Sequence, residues 1–163
     1  MTEIRHSYKF ITPVRVRYAD TDAQGHVYFA NYLVYFDIAT TDYMRAIGYP
    51  YEKLIEKGYD FYTVEALCRY RGRAYFDEIL QIAARISQIG NSSFRYDLAV
   101  FRDGSADSIA DGHIVNVMVD KNTGKPTRVP DDFREAVQSY EEIELRRTEL
   151  KSQSKKLWRN RNT

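Results

Sequence analysis

The chain has a single cysteine, Cys68, and a single tryptophan among its 163 residues. One thiol excludes an intramolecular disulfide, and with it the stapled secreted class, which points to a reducing, cytoplasmic setting. Cys68 lies in a strand-like run and reads as a small buried hydrophobe rather than a nucleophile. No apolar run is long enough for a membrane-spanning helix, and MTEIRHSYKF has no signal-sequence core. The expectation is a soluble protein with no membrane span. No G-x-S-x-G, G-x-G-x-x-G or phosphate-loop lysine motif occurs, and no zinc-type spacing. Serine-hydrolase, dinucleotide and P-loop chemistries fall away, and no metal is expected. A net charge of only +1 gives no reason to expect nucleic acid.

Aromatic residues are plentiful, with 14 tyrosines and 8 phenylalanines. Tyrosine carries a polar tip, so many of these rings suit interfaces and pocket rims. Hydrophobic residues make up 44% of the chain, enough for one substantial core. Five basic residues and no acid lie between Lys151 and Thr163. Removing them from the net +1 leaves about −4 elsewhere, a mild asymmetry. The expectation is one domain over 1–150 and a basic C-terminal tail, 151–163. A solvated terminus is the plain reading of that tail, and contact with an acidic surface is the alternative.

The periodicities predict an α+β protein. Lys9 to Tyr18 is strand-like, with Phe10, Val14, Val16 and Tyr18 apolar. Tyr28, Tyr32, Tyr35, Phe36, Ala39, Tyr43 and Ile47 recur at helical spacing, ended by Gly48 and Pro50. A short helix is expected over Tyr51–Lys57. Strands are expected at Phe61–Arg71, Glu78–Ile89, Ser93–Arg102 and Ala106–Asp120, the last bulged or bent at Gly112. A terminal helix, N-capped by Asp131 or Asp132, is expected to run to about Leu150.

The most informative stretch is Arg17–Tyr32, RYADTDAQGHVYFANY. It sets Asp20, Asp22 and a Gly25 turn between a strand and an aromatic-rich helix. A carboxylate just before a helix N-terminus suits chemistry on a polarised carbonyl, because unpaired N–H groups and positive potential lie beside it. Turn formation is the plainer role for both aspartates. The segment imitates the start of a calcium loop but lacks the closing Glu and the preceding helix. His26 suits rim packing or acid–base work. Asp37 faces either solvent or a pocket, and Glu65 is expected to be exposed. His6 and His113 have no partners visible in the sequence.

YADTDAQGHVYFANY resembles the signature of hotdog-fold acyl-CoA thioesterases of the 4-hydroxybenzoyl-CoA thioesterase and YbgC group. RYRGRAYFDEI, IGNSSFRYDLAVFR and ADGHIVNVMVDKNTGKPTRVPDDF resemble its later strands in order. Residues beyond about Tyr140 are not covered. The resemblance implies a curved antiparallel sheet wrapped around a long central helix. It also implies a homodimer or homotetramer with active sites at the subunit interface. Asp22 matches the catalytic carboxylate and the Phe29 backbone amide matches the carbonyl-polarising donor. Tyr28, Asn31 and Tyr32 match further motif positions, and Asp37 matches an acid that meets the acyl group in some members. The implied substrate is an acyl-CoA or an acyl-carrier-protein thioester, with CoA as part of the substrate and no separate cofactor.

Two departures from the family pattern stand out. Phe29 replaces a usual histidine, which leaves the backbone donor in place and makes the pocket more apolar. Gly90-Asn91-Ser92 stands where some members hold a basic cluster for the nucleotide phosphates, leaving Arg71 and Arg73 as candidates by type. Two rival readings share the scaffold. One is a non-catalytic acyl-CoA-binding protein, and the other a dehydratase or hydratase that would pair His26 with Asp22.

Overall fold

The computed structural model describes residues 5–141. Five strands form one antiparallel sheet: β1 (Phe10–Arg15), β2 (Tyr59–Tyr70), β3 (Ile79–Ile89), β4 (Ser93–Arg102) and β5 (Ser108–Asp120). Their spatial order is β1-β3-β4-β5-β2, which leaves β1 and β2 at the edges. Three helices accompany them: α1 (Asn31–Ala46), α2 (Tyr51–Glu56) and α3 (Asp131–Tyr140). The predicted α+β class is the one observed.

Strand alternation decides which face is the core. Phe94, Tyr96, Leu98 and Val100 of β4, with Leu80, Ile82, Ala84 and Ile86 of β3, point to one face and are buried there. The α1 stripe of Tyr32, Tyr35, Phe36, Ala39, Tyr43 and Ile47 packs on that face and is buried throughout. Each of the larger aliphatic and phenylalanine side chains among these contributes roughly 1.5–3 kcal/mol by leaving water. Helix α1 touches β1, β3 and β2. Contact with both edges of a five-stranded sheet requires the sheet to curl around the helix, which is the hotdog arrangement.

Several boundaries differ from expectation. Strand β1 stops at Arg15, because the chain bends into a 3-10 turn at Tyr18–Asp20. Helix α1 begins at Asn31 rather than Tyr28, whose N–H is taken by the Asp20 carbonyl. Gly112 is not bulged. The register shifts fall at Thr63/Glu65 of β2, at Ile86/Gln88 of β3, and opposite Val100/Phe101 of β4, where Ile109 is the extra residue of β5. Gly112 is required for another reason: a Cβ there would lie 1.9 Å from the Leu67 carbonyl oxygen. Neither Asp131 nor Asp132 caps α3, since both lie inside it behind Pro130. Residues 142–150 of the expected terminal helix, and the basic tail, lie outside the described residues.

Helix α3 fixes the β3–β4 turn. The Arg134 guanidinium donates to the Gly90 and Asn91 carbonyls at 2.6 and 3.0 Å, while Phe133 packs edge-on to Tyr49.

Candidate active site

The loop from Arg17 to Ala30 is built by its first aspartate. Asp20 is 3% exposed. It accepts from the Arg17 N–H at 2.9 Å, the Arg17 guanidinium at 2.8 Å and the Tyr35 hydroxyl at 3.0 Å. Burial opposes its ionisation, but these donors outweigh burial and hold the carboxyl below the usual carboxylate range. The Asp20 carbonyl accepts from the Tyr28 N–H and from Asn31 Nδ2, both at 2.9 Å. Asp20 and Asn31 are therefore the struts of the loop.

Asp22 sits in the turn those struts support. Its N–H donates to the His26 carbonyl at 3.1 Å, and its carbonyl accepts from Gly25 at 3.0 Å. Gly25 has φ +81°, a left-handed conformation that favours glycine. Asp22 Oδ1 accepts from the Gln24 N–H at 2.8 Å, the Asx-turn role expected of such a residue. The carboxylate is half-buried and carries no cation partner among the described residues.

Beyond Val27, whose N–H bonds the Ala74 carbonyl at 2.9 Å, the chain enters α1 through a tightened turn. Asn31, Tyr32 and Leu33 donate to Tyr28, Phe29 and Ala30. The Phe29 N–H has no acceptor among the described residues, and its ring is 60% exposed. It stands at the positive end of a 16-residue helix. The Tyr70 hydroxyl donates to the Phe29 carbonyl at 2.9 Å, tying the edge strand to this turn.

A cavity of about 300 Å³ opens beside this amide, lined by His26, Val27, Phe29, Tyr32, Tyr70 and the Arg71–Arg73 segment. The structure thus brings His26, Phe29, Tyr32, Arg71 and Arg73 together. Asp22 is on the same loop but not in the lining. Tyr28 is exposed against the Phe29 ring. Asp37 lines a different cavity, farther along α1. Arg71 pairs with Asp111, as does Arg69 at 3.5 Å. His26 Nδ1 lies 3.2 Å from the Val27 carbonyl, and its ring meets Tyr75 edge-on.

Tyr70 was invisible as a site residue because it reads as the end of an ordinary alternating strand. Glu65 is exposed as expected, and it partners His113, to which sequence assigned nothing. Cys68 is half-buried and packs against the core, and burial pushes its thiol up to about 11, as a structural cysteine requires. Among the described residues no group of three or more His, Cys, Asp or Glu side chains could hold a metal ion. No helix among them is long and apolar enough to cross a membrane.

The sequence and the fold have known counterparts. The acyl-CoA thioesterase YbgC of Haemophilus influenzae is 30% identical over 78% of this chain and 93% of its own. The PA5185 protein of Pseudomonas aeruginosa superposes with a TM-score of 0.77 at 27% identity, over 86% of this chain and 96% of that one. A thioesterase of Thermus thermophilus, crystallised with coenzyme A and zinc, gives 0.71 at 26% identity over 83% and 96%. The family model of the thioesterase-like superfamily matches residues 16–137, and with the shared sheet and helix this places the chain in that superfamily.

Proposed function

We propose that the protein hydrolyses acyl-CoA thioesters, releasing the free acid and the CoA thiol. The observation that carries this reading is the Phe29 N–H, unpaired among the described residues and held at the helix N-terminus beside a cavity walled by aromatic rings. Attack on a thioester carbonyl places negative charge on its oxygen. A pre-oriented amide aimed at that oxygen is typically worth about 3 kcal/mol in the transition state. The names of relatives at comparable length support the same activity.

In this reading Asp22 either attacks the carbonyl carbon or takes a proton from water that does so. Tyr32 and Tyr70 shape the acyl entrance, and Tyr28 and Asn31 support the turn. His26 flanks the thioester. Arg71 and Arg73 reach toward the phosphates of the CoA nucleotide. Acyl carrier protein is the alternative carrier. The protein acts in the cytoplasm as one domain over 1–150 with a basic tail at 151–163.

The working unit is two copies joined through β2, as a homodimer or within a homotetramer. Strand β2 is an unpaired edge with exposed Tyr62 and Val64, and α1 exposes Leu33, Val34 and Ile38. A long apolar edge of this kind invites pairing. The Tyr70 end of β2 lies at Phe29, and the Phe61–Thr63 end lines the cavity at Asp37. Antiparallel pairing about a two-fold axis would set the Asp37 cavity of one copy against the Phe29 amide of the other. The test is thiol release from a panel of short, long and aromatic acyl-CoAs. Turnover of at least one member is expected, and none from folded protein would contradict the proposal.

A further inference from the structure

The outer face of the sheet, turned away from α1, carries a row of charges. Tyr96 and Leu98 of β4 lie on the core face opposite Ile114 and Gly112 of β5. Alternation therefore puts Asp97 and His113 opposite each other on the outer face, with Leu67 of β2 opposite His113 on its other side. Three carboxylates lie on this patch, and two are held by arginines. Asp97 pairs with Arg95 at 2.9 Å and Arg85 at 3.7 Å. Asp111, 3% exposed, pairs with Arg71 and, at 3.5 Å, with Arg69. The third, Glu65, has no arginine or lysine partner among the described residues. Its partner is His113, whose Nε2 bonds Glu65 Oε1 across the β2–β5 step. His113 is buried, whereas the Glu65 side chain is 61% exposed at the sheet edge.

Glu65 stands at the middle of β2 (Tyr59–Tyr70). A two-fold axis that sets Phe61–Thr63 of one copy against Tyr70 of the other crosses this strand between Glu65 and Leu67. In a continuous sheet an outward residue pairs with an outward residue. Glu65 then meets Glu65 of the second copy directly opposite or on the diagonal, at about 5–8 Å between Cβ atoms. Like charges so placed oppose pairing. We propose that the His113–Glu65 pair makes the joining of two copies proton-sensitive, and so regulates the site that the two copies share. The proposal rests on the two-copy reading above. The imidazole donates Nε2–H to the carboxylate whether neutral or protonated, so titration changes the charge and keeps the hydrogen bond. With neutral imidazoles, joining two copies brings two uncompensated carboxylates together and strips water from them. With protonated imidazoles each Glu65 carries its own counter-charge. The joined form therefore takes up protons, and by linkage association strengthens as pH falls through the histidine range, about 8 to 5, and weakens as pH rises through it. The other charges facing His113 are Asp97 and Arg95 on β4, Asp111 on β5, Arg69 on β2 and Arg85 on β3. Arginines and the carboxylates paired with them hold fixed charge near neutrality, which leaves the histidine to do the switching.

The experiment measures the dissociation constant of the joined form by sedimentation of the full chain over a dilution series, at pH 6 and pH 8 and one ionic strength. For wild type the constant should be lower at pH 6 by about tenfold or more. Glu65→Gln removes the repulsion and should associate tightly at both pH values, its two constants agreeing within about twofold. His113→Gln removes the titrating group and should associate weakly at both. Glu65 is exposed, so its variant keeps the test in hand if His113→Gln does not fold. Association of wild type that does not change with pH overturns the switch, as does a pH dependence that survives in either folded variant. A chain that stays single at every concentration overturns the two-copy reading and the switch with it. Thiol release from the acyl-CoA panel is read separately, so a failure of hydrolysis is distinguishable from a failure of either.

Discussion

The Tyr70 hydroxyl donates to the carbonyl of Phe29 at 2.9 Å, so the edge strand pins the residue whose own N–H has no acceptor among the described residues. Burial, with Cys68 beside it, pushes the Tyr70 hydroxyl up to about 12, so it remains a donor at neutral pH. Its ring also meets Phe29 and Tyr32 edge-on. Tyr70→Phe keeps the rings and removes only the hydrogen bond. The expected result is kcat lowered by about tenfold with KM little changed, and stability lowered by about 1 kcal/mol or less. Steady-state kinetics and a urea melt check both.

Asp20 should govern the acid sensitivity of the loop. Its folded-state pKa is lowered, so the stabilisation it supplies is present above the unfolded value near 3.9 and lost as pH falls through the folded one. Wild type should therefore lose stability more steeply than Asp20→Asn between about pH 5 and 2. Asp20→Ala should cost about 2–3 kcal/mol at pH 7, because the Tyr35 hydroxyl and the Arg17 N–H lose their acceptor. Urea melts across this pH range provide the comparison.

Gly112→Ala should be severe. The added Cβ would meet the Leu67 carbonyl at 1.9 Å and its carbon at 2.8 Å, and both are backbone atoms of the paired strand. A loss of about 3 kcal/mol is expected, measurable as a lowered denaturation midpoint or absent soluble protein. Wild-type stability in this variant would mean that β2 and β5 are not packed as described.

Val34 tests the two-copy arrangement. It is exposed on α1, so Val34→Glu should change the stability of a single copy by no more than about 0.5 kcal/mol. Light scattering should find two or four copies for wild type and fewer for the variant, with turnover falling in step. An unchanged assembly would remove α1 from the interface.

Much of this was legible in the sequence, for physical reasons. The α1 stripe could be read because Tyr32, Tyr35, Phe36, Ala39, Tyr43 and Ile47 share one helical face, and all are buried. The start of α1 was misplaced because Tyr28 fits the stripe while its N–H goes to the Asp20 carbonyl, a contact no periodicity reveals. Turn chemistry alone reads Asp20 and Asp22 alike and the resemblance singles out Asp22, but only the fold shows that Asp20 is a buried strut. Gly112 marked a special position, but whether for a bulge or a close approach depended on the neighbouring strand. His113 with Glu65, and Asn116 with Thr63, are partners far apart in the chain. Within alternating strands each of these residues looks ordinary. The Tyr96 hydroxyl, without a partner among the described residues, was hidden for the same reason.

The most direct measurement is the single-turnover rate of thiol release by Asp22→Asn against wild type, on the best acyl-CoA of the panel. A carboxylate that attacks or deprotonates water cannot be replaced by an amide of the same shape. The variant should lose on the order of 10³-fold in rate while still binding the thioester and melting at the wild-type midpoint. A folded Asp22→Asn variant within a few-fold of wild type would contradict the account.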